Sequence, residues 1–219
     1  MIFLSALLYF ISHHGFLFAL CLMFIAIVLP VKFGKIALFS KIAFPVAAFI
    51  LSIISAFTSQ FLNAAFLNAF GTRSTAVITK EEQTNSTLND AYIYDYDFIV
   101  KKTNGQYVKG NFSTTTAAIY PITNAIQIPS KGQEFPVKYI PGYEKNIVIL
   151  FNESDDGIAT RRSESLSALD KARIQYEASP NEKSFQQEYI EALETFIKDN
   201  QDIDLSSYKE KLSHLKSNP

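Results

Sequence analysis

Two long apolar runs, separated by one short basic loop, occupy the first part of this chain. The first extends from Ile2 to Leu29 and the second from Ile36 to Phe57. Because about 20 residues at a rise of 1.5 Å per residue cross a hydrocarbon core of roughly 30 Å, each run is long enough to form a transmembrane helix. The sequence therefore predicts a two-helix transmembrane hairpin within residues 1–70, followed by an extramembrane remainder.

The first run differs from a cleaved signal peptide in two respects. A signal peptide has a basic segment before an apolar core of about 7–15 residues. Here residues 1–4 hold no basic side chain, and the apolar run continues well beyond that length. Two retained helices are the favoured interpretation, and a cleaved or re-entrant first segment is the alternative.

Three lysines in the connecting loop predict the orientation of the hairpin. Lys32, Lys35 and Lys41 have no acidic residue among them, and the next basic residue is Arg73. Because Lys and Arg concentrate in short cytoplasmic loops, we expect the lysine loop inside and both termini outside. In a bacterium this predicts an inner-membrane protein with a periplasmic soluble part.

The residues after the second run keep a helical pattern. Apolar side chains recur at helical spacing over residues 59–70, with Asn63 and Asn68 off the apolar face. This pattern predicts an amphipathic extension that lies in or just above the headgroups and ends at Gly71.

His13 and His14 are the one polar pair inside the first run. Polar residues at membrane depth are costly and often functional, so a proton relay or a haem or metal ligand is one interpretation. Successive residues of a helix point about 100° apart, which makes it hard for both rings to bind one metal. Imidazoles packed between helices or facing headgroups are the favoured interpretation.

From about residue 71 to 152 the pattern alternates and predicts a small β domain. In the strand from Ala91 to Val100, the aromatic side chains fall on one face and Asp95 and Asp97 on the other, which indicates a buried face and a solvated face. Asn104-Gly105 then predicts a hairpin. Further strands are predicted at 75–80, 111–119, 125–128, 134–139 and 146–151. This spacing is typical of a small barrel-like fold or a sharply curled sheet.

Three short patterns of this domain resemble those of a widespread uncharacterised family of small bacterial membrane proteins. They are Tyr94-x-Tyr96-x-Phe98, Gly105-x-Tyr107-x-x-Gly110 and Gly132-x-x-Phe135-Pro136-Val137-x-Tyr139-x-Pro141. The resemblance implies one or two transmembrane helices joined to an extramembrane β domain. It implies no catalytic residues, and the residues after Pro141 depart from the family's pattern. The domain is also similar to membrane-tethered oligonucleotide-fold domains, which scaffold other membrane proteins.

Residues 153–219 are charged and predict about three amphipathic helices. Ser179-Pro180 is a typical helix start, and Asp204 is expected to cap the last helix. Two apolar stripes are candidate partner-binding surfaces: Phe185, Tyr189 and Leu193, and then Leu205, Tyr208 and Leu212. The alternative is that these stripes form the core of a three-helix bundle or pack on the β domain.

The sequence holds no recognisable catalytic, metal or cofactor motif. G-x-S-x-G, H-E-x-x-H, C-x-x-C and Gly-rich phosphate loops are all missing, so no enzyme and no cofactor are predicted. The single cysteine, Cys21, excludes an intrachain disulfide, and a net charge of −1 gives no indication of nucleic-acid binding.

The fold class predicted is therefore membrane α+β, with the lipid bilayer and another protein as expected partners. The first functional hypothesis is a non-enzymatic inner-membrane protein that presents its extracytoplasmic module for protein–protein interaction. An immunity protein against a periplasm-acting toxin is a specialised version of it. The alternative is an accessory component of membrane transport or lipid handling.

Overall fold

The computed structural model describes residues 1–32 and 38–217 of the 219-residue chain. Within these residues the fold is α+β, with six α-helices, one short 3-10 turn and one six-stranded sheet. The chain divides into two compact units, Met1–Ser154 and Asp155–Pro219. The α+β class expected from the sequence is confirmed.

The first unit begins with three helices, α1 (Ile2–His13), α2 (Gly15–Lys32) and α3 (Leu38–Phe70). The predicted single helix from Ile2 to Leu29 is wrong, because the chain turns by 105° between α1 and α2. The Ser12 hydroxyl and His13 Nδ1 both bond the carbonyl of Tyr9, at 3.0 Å each. These side chains compete with the helical backbone for that acceptor at the end of α1.

Helix α3 is also bent, by 62° between Ser55 and Phe57. Ser52, Ser55 and Thr58 each donate a hydrogen bond to the carbonyl four residues earlier, at 2.7–2.8 Å. Such bonds compete with backbone N–H groups and bend helices. The structure thus gives α3 two arms, and the second arm reaches Phe70 as the sequence predicted.

No described helix is by itself both long and apolar enough to cross a bilayer. Two bent pairs meet that standard when their arms are taken together: Ile2–His13 with Gly15–Pro30, and Lys41–Ser55 with Phe57–Phe70. The continuous spans expected from Ile2 to Leu29 and from Ile36 to Phe57 are corrected accordingly. Ile36 itself and Lys35 lie outside the described residues.

The sheet has the strand order β3-β2-β1-β5-β6-β4 and stays open. Its strands are β1 (Thr72–Leu88), β2 (Ala91–Lys101), β3 (Tyr107–Ser113), β4 (Ile119–Tyr120), β5 (Glu134–Tyr139) and β6 (Ile147–Leu150). The barrel-like alternative is wrong, because edge strands β3 and β4 lie at opposite ends of the sheet. The strand expected over 125–128 is irregular, and the flanking Pro121 and Pro129 cannot donate to a ladder.

The sheet carries a core on each face. Tyr96, Phe98 and Val100 of β2 are buried on one face, and Asp95 and Asp97 stay exposed, as the alternation predicted. Strand β6 is buried on both faces: Ile147 and Ile149 join the core of β2. The opposite side of β6 packs against the second arm of α3, through Val148, Leu150, Ala64 and Leu67. The extension predicted at the headgroups therefore has an inner face that packs on the sheet.

The second unit contains α4 (Asp155–Ala178), α5 (Lys183–Asp199) and α6 (Ser206–Ser217). The three predicted helices are thus present. Helix α5 begins at Lys183, later than the predicted start at Ser179-Pro180, because the chain first forms a turn in which Glu182 N–H donates to Ser179. Asp204 accepts the predicted cap bond, from the N–H of Ser206 at 2.9 Å.

Candidate functional site

A buried cluster of three polar side chains joins α1, α3 and the β5–β6 loop, and we name it the polar hub. Its members are Ser5, Asn63 and Asn146. The Asn63 and Asn146 amides exchange two hydrogen bonds, at 2.8 and 2.9 Å. The Asn146 amide nitrogen also donates to the carbonyl and to the hydroxyl of Ser5, both at 3.0 Å. Asn146 therefore holds both helices at once.

The polar hub fixes the sheet domain to its helices with directional contacts. A buried polar group without a partner costs about 1–3 kcal/mol, whereas a fully bonded network specifies one arrangement. Asn63 and Ser5 are buried on α3 and α1, and Asn146 is buried in the loop before β6. The geometry therefore restricts how the domain can tilt relative to α1 and the second arm of α3.

Helix α1 has an inverted distribution of polar and apolar side chains. Its inner face carries Ser5 and Tyr9, which are buried, and its outer face carries Phe3, Leu7 and Phe10, which are exposed. A helix on the surface of a water-soluble protein has the opposite arrangement, with apolar side chains inside. The outer face of α1 is thus suited to an apolar surrounding.

The second arm of α3 has a mixed inner face and an apolar outer face. Ser59 and Asn63 are buried beside Ala64, Phe66 and Leu67, and Phe57, Leu62 and Phe70 are exposed. The first arm of α3 and α2 expose many large apolar side chains and enclose a groove of about 460 Å³ between them. The groove is lined only by apolar residues: Leu22, Ile25, Ala26, Leu29, Pro30, Phe44, Ala47, Ala48 and Leu51.

An aromatic and basic rim borders the inner edge of α1. The Lys145 ammonium lies 4.9 Å from the ring centroid of Tyr9 and 5.1 Å from that of Tyr143. The loop reaches α1 through Gly142, where a Cβ atom would lie 2.9 Å from Ile2 Cδ1. The N–H of Gly142 also donates to the Glu144 carboxylate at 2.9 Å and lowers the pKa of Glu144.

The two histidines have different surroundings. His13 is half-buried, stacks on Tyr9 with ring centroids 3.8 Å apart, and bonds the Tyr9 carbonyl through Nδ1. Its Nε2 is buried and makes no hydrogen bond within the part of the chain that the structure describes. His14 is exposed and lies beside Phe10. These contacts support packing of His13 more than joint ligation of a metal.

Strands β1 and β2 extend past the sheet as a two-stranded arm, which we define as residues 81–93. Strand β5 pairs with β1 only over Thr72–Val77, and β3 pairs with β2 only from Asp95 onward. The arm residues pair with one another or with Tyr94–Tyr96 and extend the sheet by about 20 Å. Tyr92 near the tip is exposed.

The arm and its base carry a concentrated negative charge. Between residues 79 and 97 there is one lysine, Lys80, against five carboxylates, which gives a formal charge of −4. On one strand face the ring centroids of Tyr94 and Tyr96 lie 6.4 Å apart within or against the sheet core, and Tyr92 follows at the next position of the same face. Burial raises the pKa of Tyr96 at the inner end. The arm is therefore an exposed, acidic surface with one exposed tyrosine, Tyr92.

The predicted partner-binding stripes lie mainly inside the second unit. Tyr189, Leu193 and Leu205 are buried in its core, and Tyr208 and Leu212 are partly buried against that core. Phe185 is half-buried on α5. The structure brings these residues, apart from Phe185, together as one core, so their outward surface is small.

Two of the three lysines that predict the membrane topology lie within the described residues. Lys32 lies in the last turn of α2 and Lys41 near the start of α3, and both are exposed. Lys35 falls in the undescribed loop. Within the described ranges, no group of three His, Cys, Asp or Glu side chains could hold a metal ion.

Sequence reasoning missed both the polar hub and the arm. No local pattern distinguishes Ser5, Asn63 and Asn146, which are far apart in sequence. The arm had a usable signal in Asn89-Asp90, where both residues have positive φ, of 51° and 63°. Asn and Asp tolerate this conformation, and a two-residue hairpin turn of the primed type requires it.

Comparison with protein-family models, curated proteins and solved structures finds no match to this chain.

Proposed function

We propose that this protein is a non-enzymatic, membrane-anchored interaction protein of the bacterial envelope. In this proposal α2 and the first arm of α3 enter the inner membrane, and the sheet with its acidic arm is presented on the periplasmic side. The observation that carries the proposal is the large number of apolar side chains that α1, α2 and α3 leave exposed. A bilayer is the surrounding that favours this arrangement.

The chemistry of the apolar segments supports the bilayer as their surrounding. Residues 2–31 and 42–72 contain no Asp, Glu, Lys or Arg. Full burial of one large apolar side chain contributes about 1.5–3 kcal/mol, so the exposed side chains of α2 and α3 together favour insertion strongly. Single exposed apolar residues are ordinary on a protein surface, but an uncharged surface of this extent is not.

The crossing in this proposal places the lysine loop on the far side of the bilayer. The 18 residues of α2 from Gly15 to Lys32 rise about 27 Å, which is shorter than the hydrocarbon thickness of roughly 30 Å, so the proposed crossing requires local thinning of the bilayer or flanking side chains that reach the headgroups. Lys32 and Lys41 can extend their ammonium groups to the far headgroups. By the positive-inside rule that side is the cytoplasm.

The interaction surface in this proposal is the arm, and its partner is a protein with a basic surface. Tyrosine is enriched in protein interfaces, and the three carboxylates of the arm, with no basic residue among them, steer a positively charged partner toward it. A two-stranded ribbon is marginally stable alone, so a partner that covers the arm would also stabilise it. Immunity against a periplasm-acting toxin is the specialised version, in which the basic partner is the toxin.

Membrane insertion is tested by alkaline carbonate extraction and by a periplasm-active phosphatase fused after Asn218. We expect the full chain to stay with the membrane pellet and the fusion to be active. Release into the supernatant would overturn the anchor. An inactive fusion on a retained protein would reverse the orientation only.

Partner binding is tested with a photo-crosslinking phenylalanine analogue at Tyr92, on the arm. The matched control is Tyr107, which is similarly exposed at the start of β3 and lies outside the arm. We expect a crosslinked protein at Tyr92 only, and we expect its yield to fall in high salt and in the double variant Glu81→Gln/Glu82→Gln. Equal crosslinking at both positions, or no dependence on charge, would contradict the proposal.

The groove between α2 and α3 supports a second candidate function, in lipid handling. Its volume of about 460 Å³ and its wholly apolar lining fit a lipid acyl chain. Native mass spectrometry of the protein in detergent should then show a bound lipid, which Ala47→Phe should displace by filling the groove. Absence of lipid from the unaltered protein would eliminate this candidate.

A further inference from the structure

We infer that α1 is a membrane-surface helix, which lies in the plane of the bilayer with its outer face among the lipid acyl chains. This inference rests on the proposed membrane insertion of α2, and it adds a lipid-binding surface that the two-helix anchor does not require. It differs from the interpretation of Ile2–Leu29 as one crossing helix, in which α1 would be the outer end of that span.

The first argument is the direction of α1. The chain turns by 105° between α1 and α2, with His14 as the one residue between them. A helix that follows the membrane normal along α2 is therefore preceded by one that runs nearly perpendicular to the normal. Perpendicular to the normal means parallel to the bilayer surface.

The second argument is what each face of α1 contacts. The inner face is fixed by protein contacts, through the bonds of Ser5 to Asn146 in the polar hub and through the burial of Tyr9. The outer face presents Phe3, Leu7 and Phe10, which lie on one side of a helix at spacings of four and three residues. This outer face is exposed, and α1 carries no Asp, Glu, Lys or Arg.

The third argument identifies the bilayer as what covers that outer face. Because α2 starts one residue after His14, a membrane that contains α2 necessarily reaches the end of α1. The aromatic and basic rim also places α1 at the membrane–water interface, because Tyr and Lys side chains concentrate there. Tyr9, Tyr143 and Lys145 contact one another at the inner edge of α1, where the headgroups would lie.

The absence of tryptophan from the sequence allows a direct depth measurement. The variants Phe3→Trp, Phe10→Trp and Phe24→Trp each hold a single fluorophore at an exposed position. Each is reconstituted into phosphatidylcholine–phosphatidylglycerol vesicles that contain lipids brominated near the headgroup or near the chain end. Phe24, in the middle of α2, reports membrane insertion by itself.

We expect Trp at positions 3 and 10 to be quenched most by the shallow bromines, and to lie at the same depth within about 3 Å. If α1 instead continued a crossing helix, seven residues at 1.5 Å per residue would separate the two depths by about 10 Å. A depth difference of that size would overturn the in-plane helix. Absence of quenching at positions 3 and 10, while Trp at position 24 is quenched by the deep bromines, would also overturn it. Both results would leave the membrane anchor in place.

Failure of the proposed anchor gives a different result. Trp at position 24 would then escape the deep bromines. If positions 3 and 10 were still quenched at equal shallow depth, α1 would bind the membrane surface without the hairpin. If they were also unquenched, both proposals would be wrong. Circular dichroism of each variant checks that the helical content is unchanged.

Discussion

Helices α1 and α5 carry apolar stripes with the same spacing, but α5 buries its stripe and α1 exposes its stripe. In α5, Tyr189, Leu193 and Phe196 are 4%, 0% and 1% exposed. In α1, Phe3, Leu7 and Phe10 repeat the spacing of four and three residues and are 80%, 37% and 37% exposed. An apolar stripe thus specifies which face seeks an apolar surrounding, and the rest of the helix decides whether protein or lipid supplies it.

The polar residues explain the difference between the two helices. The face of α5 opposite its stripe is charged: Glu188, Glu191 and Lys198 are exposed, and Glu194 forms an ion pair with Lys216 of α6 at 2.6 Å. Helix α1 has no charged side chain and directs Ser5 inward to Asn146. Charge on the opposite face requires water there, so α5 turns its stripe toward protein, whereas α1 is free to turn its stripe outward.

The largest expected contrast is between Leu193→Ala and Leu7→Ala, the central leucines of the two stripes. Leu193→Ala leaves a cavity in a closed core and should lower the free energy of unfolding of the second unit by about 2–5 kcal/mol. Leu7→Ala removes an exposed side chain and should change stability by less than about 0.5 kcal/mol in detergent micelles. Urea unfolding followed by circular dichroism measures both. Equal losses would show that α1 packs its stripe against protein.

The next contrast concerns the polar interior of the first unit. Asn146→Ala removes every bond of the polar hub and leaves Asn63 and Ser5 buried without those partners. We expect a loss of about 1–3 kcal/mol for each group left unsatisfied. The double variant Asn63→Leu/Asn146→Leu replaces the amide pair with apolar groups of similar size and should recover part of that loss. Thermal unfolding in micelles measures both, and a single variant as stable as the unaltered protein would contradict a structural role for the hub.

A smaller effect isolates the contact between α1 and the β5–β6 loop. Gly142 and Gly105 both have positive φ, of 93° and 83°, so alanine strains the backbone at either site, by about 1–2 kcal/mol. Only at Gly142 does the new methyl group meet another segment, at 2.9 Å from Ile2 Cδ1. Gly142→Ala should therefore lower the unfolding temperature more than Gly105→Ala. Equal decreases in unfolding temperature would mean that Ile2 of α1 moves away from the new methyl group without loss of stability.

The sequence predicted the elements whose surroundings are local. The aromatic alternation of β2, the hairpin at Asn104-Gly105, the cap at Asp204 and the end of α3 at Gly71 are all present. Gly110 in the pattern that carried the family resemblance has a physical reason, because a Cβ atom there would lie 2.3 Å from Phe98 Cζ. Such positions depend on neighbours that follow from strand pairing.

The sequence could not predict what depends on distant contacts. Hydropathy makes Ile2–Leu29 one continuous apolar run, and it takes distant contacts, such as that of Ser5 with Asn146, 141 positions away, to show that α1 docks on the sheet domain. From the sequence, the stripe of Tyr189 and Leu193 is compatible with a core or with a docking surface. In the structure it packs against α4 and α6 and forms part of the core. The candidate site was missed for the same reason, since the polar hub has no local signature.

The smallest expected effect is the pH dependence of the stability of the second unit through Asp204. The Ser206 hydroxyl and N–H both donate to the Asp204 carboxylate and lower its pKa. A carboxylate whose folded pKa is depressed contributes stability above its unfolded pKa of about 3.9, and that contribution is lost as the pH falls through the folded value. The unfolding temperature of the second unit should therefore decrease below about pH 4 more steeply than in Asp204→Asn, which keeps an acceptor for the cap bonds but cannot titrate. Because other carboxylates titrate in both proteins, the difference between the two curves reports Asp204 alone, and parallel curves would show that its charge does not stabilise α6. No such pH dependence can arise within α1, which has no carboxylate on either face.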